Sequence, residues 1–280
     1  MAIVYSKSSG LNNGAIGKLE TPIKMVIEHE SDEQTKKGGI RDWLFNVEKS
    51  NKFGETILGQ NEFDVFSATE EGAGAENDSL EETYKKFIEH IQFTKEFTIT
   101  AQMMEDANYG VAADAKRRAE NFTRAYYKTM HKICEYALAN GTSKQGTFAK
   151  AKLDLTAPDG LALFSKDHKW GGKKSSGTQS NYFYGEMFGS TTAFEDALGE
   201  LASKIRNMKD ENGEILGYTA DTLILPGNRP KAEAIAKKVC GSDGALGNGY
   251  NDINLNYGGW NIVVMPSWQI NDDRVIIMFF

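Results

Sequence analysis

The sequence predicts an α+β chain, and three stretches carry that expectation. Residues 53–97 place two β-like flanks around a polar, acidic tip; residues 111–141 form a long amphipathic run; and short strands alternate with helices after Gly141. No part of this pattern is laid out like an active site.

The first forty residues read as an arm. Polar, glycine-containing GLNNGAIG and DEQTKKGG bracket the more apolar PIKMVI, which leaves little core of its own, and such an arm needs a partner surface to become ordered. Next come the flanks ETILGQNEFDVFSA and YKKFIEHIQF, with TEEGAGAENDSLEE between them. The tip carries Glu70, Glu71, Glu76, Asp78, Glu81 and Glu82 beside Gly72 and Gly74, so it cannot pack on itself, and the flanks are expected to pair as a long hairpin. Two readings stay open for the tip. It is a mobile acidic surface loop, or it lies on a neighbouring copy with its carboxylates near Lys116, Arg117 and Arg118. Exposed pairs of that kind contribute about 0–1 kcal/mol each, enough to orient a contact but not to hold it.

IQFTKEFTIT alternates Ile91, Phe93, Phe97 and Ile99 imperfectly against Lys95 and Thr98, which predicts a half-buried strand. A Thr-started turn then leads into the helical run. Ala115, Ala119, Phe122, Tyr126, Met130, Ile133, Ala137 and Leu138 recur at three and four residues and line one face. Asn140-Gly141 offers residues that tolerate a left-handed helix stop.

Beyond it, TFAKAKLDL reads as a strand ended by the turn Pro158-Asp159-Gly160. STTAFEDALGELASKIRNMK reads as a helix capped by Ser190, with Phe194, Leu198, Leu201 and Ile205 on one face. DENGE turns the chain. DTLILPG is a short buried strand stopped by Pro226 and Gly227, RPKAEAIAKKV a helix, and GGWNIVVMP and RVIIMFF two further strands, the last able to return to the long helix.

Composition narrows the function. The chain has 280 residues, 40% hydrophobic and 25% charged, with a formal net charge of -7. That acidic balance excludes a protein whose main task is to grip nucleic acid through basic surface. The two cysteines, Cys134 and Cys240, give no disulfide framework and suit a reducing compartment. No charged leader precedes an apolar segment, and no run approaches the roughly 18 apolar residues of a membrane span, so a cytosolic, membrane-free protein is expected.

A search for catalytic chemistry finds none. His29, His90, His131 and His168 lie in separate segments without zinc-ligand spacing, and His131 reads as a helix-surface or interface residue. GAGAE and GSDGALGNG lack the Lys-Ser/Thr of a phosphate loop. GEMFGS has no nucleophile elbow, Cys240 has no evident base, and Asp221, Asp272 and Asp273 read as solvated carboxylates. No catalytic residue, cofactor site or metal site is expected.

Taken together, the long hairpin, MEDANYG, the helix ending LANGT, DGLALFSKDHKWGG with QSN a few residues on, a helix, and ADTLILPGNRPKAEAIAKKV resemble, in order and spacing, the major capsid proteins of tailed bacteriophages and prophages, which have the Hong Kong 97-type fold. The resemblance covers roughly Ile40 to Phe280. It implies an N-terminal arm and first helix at 1–52, an extended loop at 53–100, the spine helix of a peripheral domain at 101–141, an axial domain at 142–266 and a return strand to the peripheral domain at 267–280. It further implies self-assembly into hexamers and pentamers of an icosahedral shell around double-stranded DNA, held without sequence-specific contacts. Scaffolding protein, portal, protease and cement proteins would be partners, the location would be the virion capsid, and assembly would occur in the bacterial host cytoplasm.

The loop Gly241–Asn254, with Asp243, Asn248 and Tyr250, would make axial contacts. Lys85, Lys86 and Asn271 supply the residue types of a covalent lysine–asparagine crosslink, but no acidic residue matches the one that reaction needs. Relatives continue past the final VIIMFF, so a trimmed end is expected. An encapsulin-type nanocompartment shell and a non-shell interaction protein are the alternatives.

Overall fold

The structure is a computed structural model that describes residues 13–60, 63, 65–74, 77, 82–98, 111–169, 177–185, 189–210, 212–241, 254, 256–269 and 275–278. Its helices are α1 (Asn13–Lys37), α2 (Ile40–Leu44), α3 (Val111–Ala139), α4 (Thr191–Arg206) and α5 (Pro230–Gly241). Its strands are β1 (Gly54–Gln60), β2 (Glu82–Glu89), β3 (Gln145–Phe148), β4 (Ala151–Asp154), β5 (His168–Lys169), β6 (Thr178–Gln179), β7 (Tyr182–Gly185), β8 (Thr222–Pro226), β9 (Asn261–Met265) and β10 (Val275–Met278). The described strands pair as five two-stranded ladders, antiparallel except for β8 with β9. The chain divides into two compact units, Met1–Lys49 with Gln92–Cys134, and Ser50–Ile91 with Glu135–Phe280.

In the first unit, the segment expected to be an arm without a core is a 25-residue helix. Ile23 and Ile27, one helical turn apart, are buried against Ala115 and Ala119 of α3, with Val26 and Phe97 packed around them. Small alanines on α3 leave room for the branched side chains of α1. Polar contacts continue the seam. Arg124 donates to both carboxylate oxygens of Glu30 (2.8 and 3.2 Å), Gln34 donates to Glu30 (2.8 Å), and the Tyr127 hydroxyl meets those of Ser31 (2.6 Å) and Thr35 (3.1 Å). The Arg124 guanidinium hydrogen-bonded to Glu30 holds that carboxyl below its ordinary pKa against the opposing effect of burial.

These contacts shift the buried face of α3. Thr123 and Tyr127 are buried, whereas Tyr126 is exposed. The periodicity of apolar residues missed this because Thr123 satisfies its hydroxyl on the Ala119 carbonyl (3.0 Å) and so can be buried as if apolar. The strand expected at 91–100 is absent over 91–98, where the chain runs without a ladder partner; residues 99 and 100 lie outside the described residues. Phe97 is anchored there, its ring 5.5 Å from that of Phe122, and the Thr98 carbonyl accepts from Arg118 (3.3 Å). His131 is half-buried, with its ring against Gly39.

In the second unit, α3 ends without the expected left-handed residue. Neither Asn140 nor Gly141 has positive φ; the Asn140 side chain instead donates to the Tyr136 carbonyl (2.9 Å). Gly141 serves close approach, since a Cβ there would stand 2.3 Å from the Phe164 ring. The expected strand TFAKAKLDL is a hairpin, β3 and β4, turning at Ala149 (φ 46°) and Lys150 (φ 72°). Two consecutive left-handed residues make the turn that best matches strand twist, but neither is the Gly or Asn that signals it in a sequence. Tyr136 buttresses the hairpin by packing on Phe148 (5.6 Å) and accepting the Thr147 N–H (3.0 Å).

The main core forms as its sequence pattern predicts. Phe194, Leu198, Leu201 and Ile205 of α4 are buried with Leu223 and Leu225 of β8 and Ala236, Val239 and Cys240 of α5. Ser190 caps α4, accepting the Ala193 N–H at 3.1 Å. β8, α5 and β9 form a parallel crossover in register from Thr222↔Asn261 to Pro226↔Met265. Residues 210–214 turn as expected, with Asp210 accepting the N–H groups of Asn212 (2.9 Å) and Glu214 (2.8 Å). The strand β10 pairs antiparallel with β7, from Val275↔Gly185 to Met278↔Tyr182.

Leu198→Ala, which empties a site 1% exposed in this core, is expected to lower stability by about 2–5 kcal/mol in urea unfolding. Ala149→Asn with Lys150→Gly is expected to raise stability by roughly 1 kcal/mol, because both residues then prefer the backbone they already adopt. An unchanged or lower urea midpoint for that double variant would contradict the turn assignment.

Candidate assembly surface

The feature that sequence reasoning singled out, residues 53–97, is built on the β1–β2 hairpin. Its register runs from Gly54↔Glu89 to Gly59↔Tyr84, with an irregularity before Gln60↔Glu82. Residues directly opposite share a face, so Thr56, Leu58, Lys85 and Phe87 lie on one side and Glu55, Ile57, Tyr84, Lys86 and Ile88 on the other. The glycines of β1 sit under aromatic rings of β2. A Cβ on Gly54 would stand 2.5 Å from Phe87, and one on Gly59 would stand 2.2 Å from Tyr84. Each ring thus covers a strand backbone that would otherwise be bare.

Both faces nonetheless keep apolar side chains in solvent. Ile57, Leu58, Tyr84, Phe87 and Ile88 are all exposed, as are Phe53 at the base (72%) and Phe63 and Phe66 (98%) beyond β1. A lone two-stranded ladder is marginal in water, and an apolar one with open edges invites pairing with another chain.

The hairpin is tethered at one point by a long-range polar cluster. The Lys86 ammonium donates to the Thr156 carbonyl and to the Thr156 hydroxyl (3.0 Å), and lies 3.4 Å from an oxygen of Asp154. Asp154 also accepts the Thr156 N–H (3.0 Å) and hydroxyl (2.7 Å). Burial resists ionisation of Asp154, but Thr156 and Lys86 together hold its carboxyl below the ordinary range.

The chain then enters the Pro158-Asp159-Gly160 turn, where Asp159 accepts the Leu161 N–H (3.0 Å) and faces His168 Nδ1 at 2.7 Å. Burial again opposes charge at Asp159, and the Leu161 N–H and His168 imidazole outweigh it, leaving that carboxyl also below its ordinary pKa. Asn181 closes the cluster, donating to the Leu163 carbonyl (2.8 Å) and accepting the Ser165 N–H (2.8 Å). The segments LFSKDH and QSN are therefore a structural brace.

Of the acidic tip, Glu70, Glu71 and Glu82 are described and all are exposed. Glu70 to Ala73 form a turn closed by the Ala73 N–H on the Glu70 carbonyl (3.0 Å), with Gly72 supplying the positive φ of 87°. Glu76, Asp78 and Glu81 lie outside the described residues, as do Asp243, Asn248 and Tyr250 of the loop expected to make axial contacts, and Asn271.

The basic residues expected to receive the tip are differently occupied. Arg117 and Arg118 both bind Asp114 on their own helix at 2.7 Å, in (i, i+3) and (i, i+4) spacing, and hold its carboxyl below the ordinary range. Lys116 is exposed. Lys86 is committed to its tether, and Lys85 stays exposed. Among the described residues no group of three His, Cys, Asp or Glu side chains could hold a metal ion, and no helix is long and apolar enough to cross a membrane.

No protein-family model and no curated protein matches the chain. Two solved structures do. One, the bacteriophage JBD30 capsid decorated with minor capsid protein trimers, matches at TM-score 0.55 and 14% identity, over 81% of this chain and 90% of that one. The other, also a bacteriophage JBD30 capsid, matches at TM-score 0.49 and 16% identity, over 77% of this chain and 86% of that one. Only the first is close enough to assign a fold. The chain has a mixed helix and strand fold similar to that of a chain from a phage capsid.

The carboxylates of Asp154 and Asp159, both with lowered pKa, support the brace above their unfolded pKa, about 3.9, and that support is lost as pH falls through their folded values. Lys86→Met is expected to speed amide exchange across Gly54–Gln60 and Glu82–Glu89 at pH 7 while leaving the α4 core unchanged. At a pH below both carboxylate transitions the difference should narrow to what the Lys86 bonds to Thr156 still supply. Equal exchange at pH 7 would show that Lys86 does not tether the hairpin.

Proposed function

We propose that this chain is a major capsid protein, a structural subunit that self-assembles into the hexamers and pentamers of an icosahedral phage shell around double-stranded DNA. The fold similarity to a phage-capsid chain supports the reading. The observation that carries it is the β1–β2 hairpin, whose two faces leave Ile57, Leu58, Tyr84, Phe87 and Ile88 exposed among the described residues. Full burial of one such side chain contributes about 1.5–3 kcal/mol, well above the 0–1 kcal/mol of an exposed ion pair. Partial burial against neighbouring copies, repeated around each subunit, suffices for a stable shell while single contacts stay weak enough to correct.

In this reading the chain has the Hong Kong 97-type layout. Residues 1–52 form the arm region, 53–100 the extended loop, 101–141 the spine, 142–266 the axial domain and 267–280 the final strand. Asp243, Asn248 and Tyr250 face the capsomer centre. Lys116 and the acidic tip lie at subunit boundaries, and scaffolding protein, portal and cement proteins complete the particle. The role is structural, not enzymatic, the location is the virion, and assembly takes place in the host cytoplasm. Neither a cargo nanocompartment nor a non-shell interaction protein is favoured by the capsid-like fold.

Negative-stain electron microscopy with sedimentation of the purified chain tests this. Closed shells or five- and six-fold rings are expected, and deletion of residues 70–82 should leave folded subunits that no longer close. A monomer under all conditions, with a scaffold partner included, or normal particles from the deletion, would overturn it.

A further inference from the structure

The β3–β4 hairpin is a cationic finger. Its inward face, Gly146, Phe148, Ala151 and Leu153, packs toward Tyr136 and Leu155, while Lys144, Lys150 and Lys152 are all exposed and none has an ion-pair partner among the described residues. The nearby carboxylate on the same hairpin, Asp154, is already bound to Lys86. At the tip Lys150 is held in the left-handed region (φ 72°) beside Ala149 (φ 46°).

The acidic turn Glu70–Glu71 has the complementary character: two exposed carboxylates on a turn fixed by Gly72, with no ion pair among the described residues. The cationic finger meets the middle of the β1–β2 ladder, where Lys86 lies opposite Ile57, whereas the acidic turn belongs to the connection between the two strands. Lys86, four residues along β2 from the last pair Gln60↔Glu82, ties the hairpin to Asp154 at the foot of the cationic finger, whereas Glu70 and Glu71 lie beyond that last pair.

We propose that the Glu70–Glu71 turn of one copy seats on Lys144, Lys150 and Lys152 of the next, giving a head-to-tail contact. Different patches meeting in this way generate closed rings when the rotation closes, which a self-complementary patch does not. The inference rests on the shell reading and names the charged partner of its loop. It names a different basic surface from Lys116, Arg117 and Arg118, of which Arg117 and Arg118 also pair with Asp114 on their own helix. The charges select the register of docking, and the apolar faces of β1 and β2 supply most of its strength.

A charge-swap experiment tests the contact, with assembled fraction read by sedimentation at low and high salt and folding by circular dichroism. Lys144→Glu/Lys150→Glu/Lys152→Glu and Glu70→Lys/Glu71→Lys should each fold and each lower the assembled fraction at least tenfold at low salt. Combining all five should recover most of it. Both single-side sets assembling like the parent chain, or the combined variant failing to recover, would overturn the contact while leaving the shell reading intact. If the lysine variant forms normal shells that hold less nucleic acid, the finger binds phosphate and the proposal is likewise overturned. If no version assembles, the parent chain included, the shell reading itself fails and the contact with it.

Discussion

A two-stranded ladder can satisfy the hydrogen bonds between its strands, but it cannot cover two faces and two edges by itself. The β1–β2 hairpin lives under that constraint, and its sequence makes the problem worse by placing isoleucine, leucine and aromatic residues on both sides. Tyr84 and Phe87 fold over the glycines of β1, which covers backbone but leaves their own outer surfaces in water. An apolar surface of this kind is what an interaction site presents.

The rest of the second unit holds that element in place. The α4, β8, α5 core is built from buried apolar residues with a capped helix and a parallel crossover, which make it a platform for the rest of the unit. The brace that runs from Asp154 through Asp159 and His168 to Asn181 is polar and partly exposed, and Lys86 engages its near end. A stiff core joined to an uncovered hairpin through a polar brace suits a part whose position is completed by its neighbours. The same division appears in the α1–α3 seam of the first unit, where two isoleucines set the packing and the Glu30–Arg124 pair fixes its register.

What could be read from the sequence was what local chemistry dictates. The hairpin, the extent of α3, the Ser190 cap and the α4 face each follow from spacing within a few residues. The Asp114 pairs with Arg117 and Arg118 are also legible, since they follow from (i, i+3) and (i, i+4) spacing on one helix. Other features were hidden for physical reasons. Ala149 and Lys150 give no turn signal because neither favours the backbone it adopts. Thr123 sits in a core by bonding its own helix, and the α1 helix was obscured by Pro22 and flanking glycines although Ile23, Val26 and Ile27 have helical spacing. The tether from Lys86 to Thr156 spans 70 residues, a separation at which no local pattern speaks.

The central claim is that other copies of the chain cover the hairpin. Its most direct test is amide hydrogen exchange of Gly54–Gln60 and Glu82–Glu89, compared between isolated subunits and assembled particles. The account predicts fast exchange at the outward edges of both strands in the subunit and strong protection in the particle, with little change in the α4 core. Equal exchange in the two states would mean that the hairpin stays bare after assembly, and the exposed apolar faces would need another explanation.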